Sequence, residues 1–188
     1  MLEIRWHGRG GQGVVTAAEI LATAVVNEGK YAQAFAAFGP ERRGAPVLAF
    51  TRINDNEILL RTQIYEPDIV VVLDKSLCND NGVGRGLKKN GIAVVNTSSS
   101  PEVLLNIFPN ASKIATVDAT RIAIEKLGVP VTNTAILGAL IRATRIVKIE
   151  TIENVLKEKF KGVLAEKNFN AVKEAYERTL IFDRGGLL

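Results

Sequence analysis

The stretch "IRWHGRGGQGVVTAAEIL" limits the architecture more than any other part of this sequence. Leu2, Ile4 and Trp6 alternate with Glu3 and Arg5, which predicts a strand. Gly8-x-Gly10-x-x-Gly13 follows. Val14, Ala17, Ala18, Leu21, Ala24 and Val25 then recur at helical spacing until Gly29, a natural stop. A strand that turns through glycines directly into a helix is the opening unit of a parallel α/β sheet. In such a unit the glycines admit positive φ and let a phosphate approach the backbone. The free N–H groups of the helix start then face the anion.

The rest of the chain fits that unit. "DIVVVL" and "GIAVVN" are continuous apolar runs of the kind found in strands buried on both faces. "KYAQAF" and "SKIATVDA" read as further strands. "VLAFTRI" and "EILL" flank "NDN", a hairpin signal that makes the sheet mixed. Helices are expected after Ser99-Ser100-Pro101-Glu102, over "DATRIAIEKLG" between Asp118 as cap and Gly128 as stop, and over "TNTAILGALIRATRIV". Two more are expected over "TIENVLKEKF" (face Ile152, Leu156, Phe160) and "FNAVKEAYERTL" (face Phe169, Val172, Tyr176, Leu180), with "FDRGGLL" as a loose or docked tail. The expected fold is one domain over residues 1–188: a three-layer α/β/α arrangement with a mixed, mostly parallel sheet that includes one hairpin. Ligands of such sheets sit outside the carboxyl ends of the strands, which singles out the loops "HGRGGQG", "DKSLC" and "NTSSS".

Composition narrows the function. The chain has 188 residues, 47% hydrophobic, with net charge +4. No apolar run is long enough to span a bilayer, and the first residues lack a signal-peptide pattern, so a cytoplasmic protein is expected. No Lys/Arg run interleaved with aromatics points to nucleic acid. Cys78 is the single cysteine and His7 the single histidine, so neither a cluster nor a zinc site is expected in this chain. No Ser–His–Asp or Cys–His set stands out. His7 reads as a structural hydrogen-bonding residue, Cys78 as a packing residue, and Asp74 as a cap or site-lining group.

A nicotinamide dehydrogenase needs an acidic residue at the end of its second strand. Here that strand ends at Phe35 and Ala36, with Glu28 too early and Glu41 too late. A second loop, "FGPERRGAP", holds Glu41, Arg42 and Arg43 between rigid flanks, ending at Gly44. It is read either as a solvated turn, as an Arg site for phosphate or carboxylate, or as a charged contact to another subunit.

With both loops in view, the sequence resembles the gamma subunits of the 2-oxoacid:ferredoxin oxidoreductases, most closely those of the pyruvate:ferredoxin type. The segments that carry the resemblance are "RWHGRGGQGVVTAAEILA", "AFGPERRGAPVLAFTRI", "IVVVLDKSL" and "VPVTNTAILGAL", in family order over nearly the whole chain. The resemblance implies an assembly with alpha, beta and delta chains that splits pyruvate oxidatively with coenzyme A, giving acetyl-CoA, carbon dioxide and reduced ferredoxin. It implies thiamine diphosphate and iron–sulfur clusters only in the partner chains. It implies no catalytic residue and no metal here, and a share in coenzyme A binding. Carried over by motif, the ligand-facing positions are Gly8, Arg9, Gly10, Gly11, Gln12 and Gly13, then Glu41, Arg42, Arg43 and Gly44, with Asn133 and Thr134 at a helix start. A branched-chain 2-oxoacid or 2-oxoglutarate is the alternative substrate, and one gamma chain shared between two enzymes is a further possibility. An NAD(P)-binding dehydrogenase and a pure interaction module are the readings outside this family.

Overall fold

In a computed structural model of the chain, the described residues are 1–37, 44–80 and 82–187. In chain order the elements are β1 (Leu2–Arg9), α1 (Val14–Asn27), β2 (Tyr31–Ala36), β3 (Pro46–Asn54) and β4 (Ile69–Val72). A 3-10 turn (Lys75–Asp80), β5 (Gly91–Asn96), a second 3-10 turn (Pro101–Leu104) and β6 (Ala111–Val117) follow. Then come α2 (Ala119–Leu127), α3 (Asn133–Thr144), α4 (Ile149–Lys159), α5 (Val163–Arg178), β7 (Leu180–Asp183) and a last 3-10 turn (Arg184–Leu187).

The strands form one sheet in the order β2-β3-β1-β4-β5-β6-β7. β1, β4, β5 and β6 run parallel, while β3 is antiparallel to β1 and β2, and β7 is antiparallel to β6. The sheet is therefore mixed with a parallel centre. Its layers are unequal. Ile4, Trp6, Val71, Val94 and Ala115 point to one face and pack with buried residues of all five α-helices. On the other face, Val70, Val72, Val95 and Ile114 are covered by Leu77, Cys78, Val83, Leu87, Leu104 and Phe108, from 3-10 turns and connectors.

The helix layer is tight at its centre. Ten residues of α3 are buried, and a Cβ placed on Gly138 would lie 2.1 Å from the Val172 carbonyl oxygen of α5. A helix apolar around its whole circumference belongs inside, and α3 fills that position. Trp6, fully buried, donates from Nε1 to Thr51 Oγ1 at 3.0 Å, so its polar edge is satisfied within the core.

Three local expectations change. The hairpin lies between β2 and β3, and "EILL" forms no strand: both edges of β3 are taken, by β1 and by β2, so residues 57–60 cannot pair with β3 as the hairpin signal required. The helix expected after Ser100 is a single 3-10 turn, because Phe108 is anchored in the core and Pro109 stops continuation. Leu180 lies beyond the last helix rather than on its face. α5 begins at Val163 and ends at Arg178, and Leu180–Asp183 pair with the open edge of β6. An unpaired edge of backbone groups outweighs one more turn of helical periodicity.

Candidate ligand site at the carboxyl edge of the sheet

The carboxyl ends of β1, β4, β5 and β6 lie side by side, so the loops after them meet along one edge. β1 continues through Gly8 and Arg9, paired with Val47 and Pro46. Gly10 donates to Ala45 O at 2.9 Å, Gly44 donates back to Gly10 O at 3.2 Å, and Gly11 (φ 95°) and Gly13 (φ 74°) turn the chain into α1. Two of these glycines are demanded by packing. A Cβ on Gly8 would stand 2.4 Å from Val14 Cγ2, and one on Gly13 would stand 2.6 Å from Asn133 Nδ2. Around Gly11 there is open space.

The loop is held by its own side chains. Gln12 accepts from the Arg9 backbone N–H at Oε1 (2.8 Å) and donates from Nε2 to Asp74 Oδ2 (3.0 Å). Arg9 Nε stands 3.2 Å from Asp74 Oδ2, while its other nitrogens donate to Gly44 O (3.1 Å) and Ser76 Oγ (2.8 Å). Asp74 also accepts from the Ser76 N–H and hydroxyl at 2.9 and 2.7 Å. Burial pushes the Asp74 carboxyl up, but the hydrogen bonds from Ser76 and Gln12 and the Arg9 charge outweigh it and hold it below the usual carboxylate range. Arg9 is thus compensated and turned toward the protein.

Past Asp74, the edge becomes a hydroxyl shelf. Asn96 donates to Leu73 O (2.8 Å) and Thr120 Oγ1 (2.9 Å), tying β4, β5 and α2 together. Lys75 Nζ donates to Ser99 Oγ at 3.0 Å, and Ser99 N–H donates to Thr97 Oγ1 at 3.1 Å. Two hollows of about 260 and 230 Å³ meet at Thr97, Ser98 and Asp118. The first reaches Gln12 and Lys75; the second reaches Arg121, Arg178 and Thr116. Thr116 Oγ1 is buried without a described hydrogen-bond partner.

The positions marked in the sequence therefore divide. Gly8, Arg9, Gly10, Gly11, Gln12, Gly13 and Gly44 are gathered at the glycine loop, and Asn133 packs against Gly13. Thr134 is fully buried and donates to Asn168 Oδ1 at 2.9 Å, so it joins α3 to α5 and does not face the edge. Glu41, Arg42 and Arg43 lie outside the described residues. Lys75, Ser76, Ser98, Ser99 and Thr116 carry no motif of their own. The rule that ligands bind beyond the carboxyl ends of strands finds all but Thr116, through "DKSLC" and "NTSSS".

His7 faces away from this edge. Its Nε2 accepts from Arg5 Nε at 2.9 Å, and burial together with the Arg5 charge lowers its pKa to about 3. Burial pushes the Cys78 thiol up to about 11, so it is a packing group and not a nucleophile. Among the described residues, no group of three or more His, Cys, Asp or Glu side chains is placed to hold a metal ion. Among them, too, no helix is long and apolar enough to cross a membrane.

A mixed, parallel-centred sheet with a glycine turn and a polar trough at its carboxyl edge defines an α/β protein with a candidate ligand site at that edge. The model for the family described as pyruvate ferredoxin/flavodoxin oxidoreductase matches residues 3–178, and the chain belongs to that family. It is 59% identical, over 97% of its length and 100% of the relative's, to the pyruvate/ketoisovalerate oxidoreductases common subunit gamma of Pyrococcus abyssi. It is 52% identical, over 96% of its length and 98% of the relative's, to pyruvate synthase subunit PorC of Methanocaldococcus jannaschii. The crystal structure of pyruvate oxidoreductase subunit PORC from Thermotoga maritima superposes with a TM-score of 0.87 at 39% identity, covering 97% of this chain and 98% of that one.

Proposed function

We propose that this chain is the gamma-type subunit of a pyruvate:ferredoxin oxidoreductase and acts as a single domain inside an assembly with alpha, beta and delta chains. The assembly cleaves pyruvate oxidatively with coenzyme A and passes electrons to ferredoxin. The observation that carries this reading is identity at more than half of the positions, over nearly the full length, to subunits named for pyruvate oxidation and synthesis. The site agrees with a non-autonomous role. Its histidine is a neutral strut, its cysteine is buried, and its edge sets the Lys75 ammonium and serine hydroxyls beside the Asp74 and Asp118 carboxylates.

Within that assembly the chain contributes to holding coenzyme A. Several features of the carboxyl edge fit a phosphate-bearing ligand. Gly11 has open space around it at the helix start, Lys75 offers an exposed ammonium group, and Ser98 and Ser99 offer hydroxyls. Arg9 serves here as a brace for the loop through Asp74. Thiamine diphosphate and the iron–sulfur clusters are assigned to the partner chains, which bring the carbon–carbon cleavage and electron transfer. The reaction runs in the cytoplasm.

Co-expression with the three other chains tests the reading. Pyruvate- and coenzyme A-dependent ferredoxin reduction is expected from the complete set and from no set lacking this chain. Ferredoxin reduction by the isolated chain would overturn it. A second reading has one gamma chain serving two assemblies, for pyruvate and for a branched-chain 2-oxoacid. It is favoured by the relative named as a common subunit. Recovery of two different alpha–beta pairs with one tagged gamma chain is its expected result.

A further inference from the structure

On the sheet face away from the helices, β2, β3 and β1 present cross-strand rows: Gln33–Arg52–Glu3, then Phe35–Phe50–Arg5, then Leu48–His7. The apolar cover over Val70 and Val72 of neighbouring β4 ends at β1. Among the described residues, two connectors lie over these rows. Arg52 Nη2 pins the first by donating to Thr62 O at 2.7 Å, and Arg5 pins the second through the carbonyls of Val83 and Arg85. Between them opens a hollow of about 500 Å³ whose walls include Arg5, His7, Phe50, Tyr65 and Arg85.

Arg5 is the unusual group. It is only 8% exposed, and every acceptor it has is neutral: the carbonyls of Tyr65, Val83 and Arg85, and His7 Nε2. Arg52, one row away and more deeply buried, has Glu3 Oε1 at 2.9 Å. No described carboxylate forms such a pair with Arg5. Among the described residues its hydrogen bonds are met but its charge is not, and a buried cation is ordinarily matched by an anion. His7 supplies no negative charge. With Nε2 accepting, the neutral ring carries its proton on Nδ1 and is a further donor. Arg85 adds an exposed cation at the rim, and Glu66, also exposed, is the acidic residue among the lining groups. On the same connector, Leu59 is 77% and Tyr65 71% exposed, large apolar groups left in water.

We infer that this face docks a partner subunit of the oxidoreductase assembly, and that the partner seats a carboxylate side chain in the hollow between Arg5, His7 and Arg85, flanked by apolar residues resting on Leu59 and Tyr65. The inference rests on the reading of the chain as a subunit. Charge complementarity selects an acidic group. Leu59, exposed on the connector but not among the groups lining the hollow, selects a protein segment over a free small carboxylate, which has no use for apolar surface outside the hollow. An aromatic and two arginines around a desolvated carboxylate are the usual composition of an energetic centre in a protein interface.

The test uses the chain co-expressed with its three partner subunits. A photo-cross-linking residue at Tyr65 is expected to capture a partner subunit at a peptide containing Asp or Glu, while the same probe at Val163, on the helix layer, captures none. Arg85→Glu is expected to weaken association at least tenfold with an unchanged melting temperature of the isolated chain, and Arg85→Lys to retain most of it. Cross-links from position 163 alone, capture of a second copy of this chain from position 65, or undiminished association of Arg85→Glu and Tyr65→Ala would overturn the proposal. A wild-type chain that binds none of the three partners overturns the subunit reading as well, a result distinct from normal assembly insensitive to these substitutions.

Discussion

Gly13 answers two constraints at once: its φ of 74° belongs to the left-handed region, and the Asn133 side chain occupies the place of a Cβ. Gly13→Ala is expected to cost about 2 kcal/mol, roughly half from backbone strain and half from displacing Asn133. Gly11→Ala, with a φ of 95° but open space around it, is expected to cost only the strain, about 1 kcal/mol. Thermal unfolding of both variants, and of Gly13→Ala combined with Asn133→Ala, separates the two contributions; equal losses at both glycines would remove Asn133 from the account. His7 sets a pH dependence. Its folded pKa of about 3 lies below the ordinary 6.5, so the unfolded chain binds this proton first. The stability is therefore fully present above about pH 6.5 and is lost as pH falls toward 3, by up to about 5 kcal/mol. Asp74, with its lowered pKa, adds a loss of the same sign beneath the usual carboxylate range. His7→Gln keeps an acceptor for Arg5 Nε, and urea unfolding between pH 6.5 and 4 is expected to show a flatter slope for it than for the wild type.

At the scale of elements, α3 against α5 is the contact with least slack, because Gly138 brings the two backbones together. Gly138→Ala is expected to destabilise by about 3 kcal/mol, since the atom it meets is a carbonyl and not a movable side chain. A lower urea midpoint with an unchanged m-value checks this; a midpoint within error of wild type would mean that α5 is free to shift. The sequence carried the glycine turn, the buried strands β4 and β5, and helices α1 and α2, the second with its Asp118 cap and Gly128 stop, because apolar period and turn chemistry are local properties. It did not carry what the ends of the sheet impose. Residues 57–60 look like a strand and Leu180 looks helical until one knows that β3 has no free edge and β6 has one. The site shows the same division. Glycines announced the loop, and the strand-end rule announced "DKSLC" and "NTSSS". The pairing of Arg9 with Asp74 and the burial of Thr134 between helices depend on which elements become neighbours. The charge imbalance at Arg5 appears only once Tyr65, Val83 and Arg85 are brought to it across 60 to 80 residues of chain.

For the whole molecule, β1 is the element shared by two surfaces. Its last residues enter the glycine loop at the carboxyl edge, while Arg5 and His7 turn onto the helix-free face. The proposed ligand edge and the proposed docking face are thereby fixed to one central strand, yet they are built from different side chains and are expected to separate under mutation. Lys75 provides the clearest separation. It lies at the edge, donates to Ser99 Oγ, and has no part in the hollow around Arg5. An exposed ammonium that meets a phosphate acts on ground-state binding, so its loss raises KM and leaves kcat nearly unchanged. In the assembled enzyme, Lys75→Ala is expected to raise KM for coenzyme A about tenfold, equivalent to roughly 1.4 kcal/mol, with KM for pyruvate unaltered. Lys75→Glu is expected to raise it further, because it adds repulsion to the lost attraction, and the difference between the two variants should shrink at high salt. Steady-state kinetics at two ionic strengths reads all of these. A KM for coenzyme A that neither substitution moves would assign the carboxyl edge to contacts between subunits and leave the phosphates to the partner chains.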